Sequence, residues 1–89
     1  MRRKLPPEVV NAVRETVVSA RNHRRMSQSA VARKANMTQV SVSVLESDQA
    51  HINLAVYAAA MDALDYQVVL LVRPREAPQG SVSRKIRIC

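Results

Sequence analysis

At 89 residues the chain has room for one small domain with a modest core, and too little for two. Hydrophobic residues make up 47% of it, yet Phe and Trp are absent and Tyr appears only as Tyr57 and Tyr66. The core therefore falls to Val, Leu, Ala and Met, a set suited to closely packed small helices. The formal charge of +7 implies a polyanionic partner or, more blandly, a solubilised surface; the lone Cys89 excludes an internal disulfide and fits a reducing compartment.

"LPPEVVNAVRETVVSARNHRR" predicts a first helix from Pro7, because proline is tolerated at the first helical position and Glu8 suits the positive helix end. Val10, Val13, Val17 and Ala20 form its buried stripe, with Arg14, Arg21, Arg24 and Arg25 largely outside it. Ser27 is a good cap for a second helix over Gln28 to Lys34, although Ala30 stands where a capping box would place Glu or Gln. Asn36 follows, a residue tolerant of the left-handed backbone that a tight corner between helices needs.

The next stretch, "NMTQVSVSVLES", is ambiguous. Val40, Val42 and Val44 alternate with Ser41 and Ser43, the period of a half-buried strand. No turn signal offers such a strand a hairpin partner, and an isolated strand is unstable. A helix capped by Thr38 is favoured instead, with Val42 and Leu45 inward and Gln39, Val40, Ser43 and Val44 largely outward. A polar connection leads to "LAVYAAAMDAL", a helix capped by Asn53, whose stripe is Leu54, Tyr57, Met61 and Leu64.

"YQVVLLV", Tyr66 to Val72, is a β-branched apolar run stopped by Pro74 and reads as a strand. A lone strand has open edges, which the same strand of a second copy closes most economically. "RPREAPQG" is a linker. "SVSRKIRIC" is either a second strand, with Val82, Ile86 and Ile88 on one face, or a disordered basic tail, the reading preferred here. The expected organisation is a basic arm over 1–6, a helical domain over 7–65, a dimerisation strand over 66–73 and a basic tail over 74–89.

Charge is unevenly spread. Residues 1–34 hold nine Lys or Arg against Glu8 and Glu15, whereas Ala35 to Leu45 carries none. An uncharged stretch beside a basic one is the pattern of base-edge readers flanked by phosphate binders. Enzymatic and metal chemistry lack their residues: HExxH, CxxC, GxSxG and glycine-rich phosphate loops are missing, and Gly80 is the single glycine. Aromatic platforms for single-stranded RNA are missing too. His23 and His51 read as solvated. The expectation is a non-enzyme with no cofactor and no metal. No apolar run reaches the ~18 residues of a membrane span and no signal segment follows the basic start, so a cytoplasmic location is expected.

The pattern R-x5-SQ-x2-VA-x3-NMTQ-x2-V-x2-LE, from Arg21 through Ser27, Gln28, Val31, Ala32, Asn36 to Gln39 and Val42 to Leu45 and Glu46, resembles the Cro/C1-type (Xre) helix-turn-helix family of regulators. The likeness covers Val13 to Leu64. Asn36 replaces the family's usual turn glycine, and Asp48 stands near its glycine after the glutamate. The resemblance implies a mainly α, lambda-repressor-like domain of four helices and one strand, with a central helix-turn-helix and the C-terminal strand pairing across a dimer. It implies a structural ion pair between Arg21 and Glu46, and base reading by Thr38, Gln39, Val40, Ser43 and Val44. Gln28 and Ser47 would contact phosphate, with Arg24, Arg25, Arg33, Lys34 and the "RRK" arm as further candidates. Tyr66, Val68, Val69, Leu70, Leu71 and Val72 would form the dimer seam. The implied function is a repressor binding a pseudo-palindromic operator on double-stranded DNA as a homodimer. The alternative, drawn from a likeness of architecture to HipB-type antitoxins, is an antitoxin with a cognate toxin partner. No membrane and no small-molecule effector is expected.

Overall fold

The computed structural model describes residues 4–48, 51–76 and 83–89. The first helix, α1, runs Pro7–Arg24 with proline in its first turn and Glu8 beside it, and buries Val10, Val17 and Ala20. It ends where Arg25 turns left-handed at φ 55, and the amide of Met26 returns to the carbonyl of Arg21 at 3.0 Å. Such a reversal satisfies carbonyls that the last helical turn leaves without partners.

Two seven-residue helices follow, α2 at Gln28–Lys34 and α3 at Gln39–Leu45. Each is capped as its sequence predicts: Ser27 accepts from the amide of Ala30 at 3.0 Å and Thr38 from that of Ser41 at 3.2 Å. Between them Asn36 sits at φ 56, and Met37 donates to the carbonyl of Ala32 at 2.8 Å. The valine alternation is thus wound into a helix. Val42 and Leu45 are buried, while Val40 is 66% exposed and Val44 41%.

The fourth helix, α4 at Leu54–Ala63, is capped by Asn53, which accepts from the amide of Val56 at 3.2 Å. Its packed face is centred on Ala60, Met61 and Leu64, alanine allowing close approach. Leu54, expected on the buried stripe, is exposed, because it lies two turns earlier at the helix start, past the edge of the core. Val17, Ala20, Val31, Ala32, Val42, Leu45 and that face of α4 make one hydrophobic cluster. Among the described residues no polar or charged residue is buried as a whole.

Beyond Asp65, at φ 62, the chain forms an antiparallel ribbon of β1, Val69–Val72, and β2, Arg84–Arg87. Val69 faces Arg87, Leu70 faces Ile86, Leu71 faces Lys85 and Val72 faces Arg84. One expectation changes here. The basic tail, read as disorder, contributes a strand, so one edge of β1 is paired within its own chain. The apolar Ile86 amid cations supplies the cross-strand neighbour that Leu70 needs. Val82, Met1, Arg2 and Arg3 lie outside the described residues.

Candidate nucleic-acid interface

The α2–α3 pair is positioned by a connected set of polar side chains. Arg21, from α1, donates from Nε to Glu46 Oε2 at 2.6 Å and from Nη2 to Oε1 at 2.7 Å, and from Nη1 to the carbonyl of Met26 at 3.0 Å. The pair is half-buried, at the junction of α1 with the end of α3. Burial by itself pushes the Glu46 carboxyl up, but hydrogen bonds from Arg21 and Gln28 and the charge of Arg21 outweigh it and hold the group below its ordinary range. The Arg21 guanidinium is raised, chiefly by its hydrogen bond to Glu46.

Glu46 is also reached from α2. Gln28 Nε2 donates to Glu46 Oε1 at 3.1 Å, and Gln28 Oε1 accepts from Gln39 Nε2 at 2.8 Å. Arg21, Glu46, Gln28 and Gln39 therefore form a chain from the body of the domain to the first residue of α3. Sequence spacing predicts the Arg21–Glu46 pair by resemblance but gives no signal for the Gln28–Glu46 bond, which joins residues 18 positions apart across a corner.

Around Gln39 the remaining candidates take distinct places. Thr38 shares a hydrogen bond of 3.0 Å with the Ser41 hydroxyl while capping α3. Val40 and Val44 stand exposed beside a cleft of about 180 Å³ that Ile52 and Val56 also line. Ser43 is half-buried. Ser47, half-buried, donates its hydroxyl to the carbonyl of Val44 at 2.7 Å and so closes the helix end. Arg25, Arg33 and Lys34 are exposed and form no ion pair with a described residue.

Arg24 makes contacts that its place in the sequence does not predict. Its guanidinium lies 5.0 Å from the centre of the Tyr66 ring, and Nε donates to the carbonyl of Leu64 at 2.9 Å. It closes the end of α4, where the last carbonyls lack helical partners. Tyr66 and Val68 are likewise half-buried against the domain's own core, whereas Val69 to Val72 are exposed. A further contact, Arg14 with Asp48, which the sequence does not signal, ties α1 to the turn after α3, near the place of the family's usual glycine. No cluster of three metal-ligating side chains occurs among the described residues.

A short capped helix, a left-handed corner and a second capped helix with its outer face in solvent make a helix-turn-helix. The model of the helix-turn-helix family matches residues 18–71, more than half of the chain. The chain belongs to the Cro/C1-type helix-turn-helix family. It is thus a DNA-binding regulator built on a domain that is not an enzyme. The matched segment takes in most of β1, beyond the stretch from Val13 to Leu64 that carries the likeness in sequence. Comparison of this helix-turn-helix protein with curated proteins and with solved structures gives no match. Among its described residues no helix is long and apolar enough to cross a membrane.

Proposed function

We propose that the protein is a sequence-specific repressor that occupies a pseudo-palindromic operator as a homodimer, with α3 of each copy in a major groove. The observation that carries this is the outer face of α3. Val40 is 66% exposed and Val44 41% on a helix whose Val42 and Leu45 fill the core. Exposed valines beside a glutamine suit a groove in which thymine methyls meet apolar groups and adenine offers Gln39 a donor and an acceptor. Thr38 and Ser43 flank that face. Gln28, Ser47, Arg25, Arg33 and Lys34 are the proposed phosphate contacts, which give register and salt dependence without sequence information.

The homodimer rests on the ribbon. Leu70, Val72 and Ile86 share one of its faces and are exposed in the single chain. Two copies joined there would place their recognition helices on half-sites about one helical turn apart, or a multiple of it. The same apolar ribbon favours a second reading, an antitoxin that holds a toxin chain and represses its own operon. Recovery of a second chain with the tagged protein expressed with its neighbouring genes would select it.

Footprinting on the gene's own upstream region tests the main reading. Wild type should protect two symmetric half-sites, with affinity falling steeply as salt rises. Gln39→Ala should lose discrimination at one position in each half-site. Uniform binding of all sequences by the wild type would sink the proposal.

A further inference from the structure

The chain of side chains behind Gln39 carries more than support. An ionised carboxylate accepts hydrogen bonds and donates none. Glu46, gripped by Arg21, therefore admits only the NH2 end of the Gln28 amide, which it meets at 3.1 Å. The Gln28 carbonyl oxygen is left facing Gln39, which answers with its own NH2 at 2.8 Å. One half-buried charge sets two amide orientations in series.

The consequence lies in what Gln39 has left to offer. Its NH2 group holds two hydrogens, one of them committed to Gln28. One N–H and the carbonyl oxygen remain, a donor beside an acceptor. In the major groove adenine presents the N6 donor beside the N7 acceptor, whereas guanine presents two acceptors, O6 and N7. The remaining pair satisfies adenine. Guanine requires both hydrogens of the NH2 group, and one is taken. We infer that Glu46, acting through Gln28, fixes the selectivity of Gln39 for adenine against guanine. This rests on the base-reading role proposed above for Gln39. Glu46 and Gln28 are positioning residues that need not touch the base.

The test is selection from a randomised duplex pool, followed by titration of matched duplexes that differ only at the position where Gln39→Ala relaxes selectivity. Wild type should prefer adenine over guanine there by roughly fivefold to a hundredfold, the range of one bidentate contact. Gln28→Ala frees the second hydrogen and should lower that preference at least about fivefold while specificity elsewhere in the site stays. Glu46→Gln should lower it too, because a neutral amide accepts either end of Gln28; thermal melting confirms that this variant is folded. Gln28→Glu is the decisive arm. Its carboxylate still accepts from Gln39, so the preference should persist although affinity for every sequence drops. A merely structural role for Gln28 would lower affinity in both Gln28 variants and move the preference in neither. A wild-type preference in Gln28→Ala, or its loss in Gln28→Glu, overturns the inference. Undiminished selectivity in Gln39→Ala overturns the base-reading proposal itself.

Discussion

Arg21 and Glu46 lie 25 residues apart and meet through two donors, Nε on Oε2 and Nη2 on Oε1, joining α1 to the end of α3. Side-chain exposure of 15% for the arginine and 7% for the glutamate places the pair where an uncompensated charge is costly. Removing one partner strands the other, and a loss of about 3 kcal/mol is the low end for breaking a buried pair. Glu46→Ala should lose about that much in denaturant titration. Arg21→Met with Glu46→Leu should recover most of it, since apolar residues of similar volume often replace buried pairs at little cost.

Acid should act through the same contact. The Glu46 carboxyl is held below its ordinary range in the folded chain, so the native state binds that proton less tightly than the unfolded state does. Its contribution is complete above the unfolded carboxylate value and is lost as pH falls through the lower, folded one. Arg21, raised further, stays cationic throughout. Melting temperature followed downward from neutral pH should therefore drop less in Glu46→Gln than in wild type. Equal acid slopes in the two proteins would contradict this account.

Asn36 turns the corner at φ 56, where a side chain larger than hydrogen crowds the backbone. Asparagine tolerates the region better than alanine because its short polar group bonds locally. Asn36→Ala should lower stability by about 1 kcal/mol, and Asn36→Gly should stay within about 0.5 kcal/mol of wild type. Both changes leave the α3 surface intact, so site preference measured by selection should be unaltered.

What the sequence discloses follows from distance along the chain. Caps at Ser27, Thr38 and Asn53 are local, and each appears where its residue type predicts. The strand-like alternation of Val40, Val42 and Val44 misleads because β-branching is only a weak preference, overridden once Val42 and Leu45 find a common core. Arg24 meets carbonyls of a helix 40 residues on, and no periodicity encodes such a meeting. The β1–β2 register is hidden for a similar reason: β2 reads as a charged tail until Ile86 is set against Leu70. Leu54 looks like core by spacing and lies outside it because the helix begins before it reaches the core.

The contrast between Arg24 and Arg33 can be measured in one experiment. Arg33 is exposed on α2 near the corner, and Arg24 is bound to the end of α4. Arg33→Ala should weaken binding of all sequences alike and reduce the salt slope of log affinity by about one. Arg24→Ala should leave that slope unchanged and cost about 1 kcal/mol of stability, the worth of a hydrogen bond to the helix end. Exchange of these two outcomes would return Arg24 to the phosphate contacts.

The ribbon supplies the last prediction. Leu70, Val72 and Ile86 project on one face of β1 and β2, and Val69, Leu71, Lys85 and Arg87 on the other. The first face carries one cation, Arg84, at the end of the register, whereas the second carries two. Self-association is thus less opposed by like charge on the Leu70 face. Leu70 is 42% exposed in the single chain, so Leu70→Asp should leave monomer stability within about 0.5 kcal/mol, as for most surface changes. It should dissociate the proposed homodimer into monomers in sedimentation equilibrium. Because a dimer holds two half-sites at once, operator affinity should fall by roughly 10²- to 10⁴-fold while a single half-site is bound as before. Lys85→Asp, on the opposite face, should leave the dimer intact. A dimer that survives Leu70→Asp would place the seam elsewhere on the molecule.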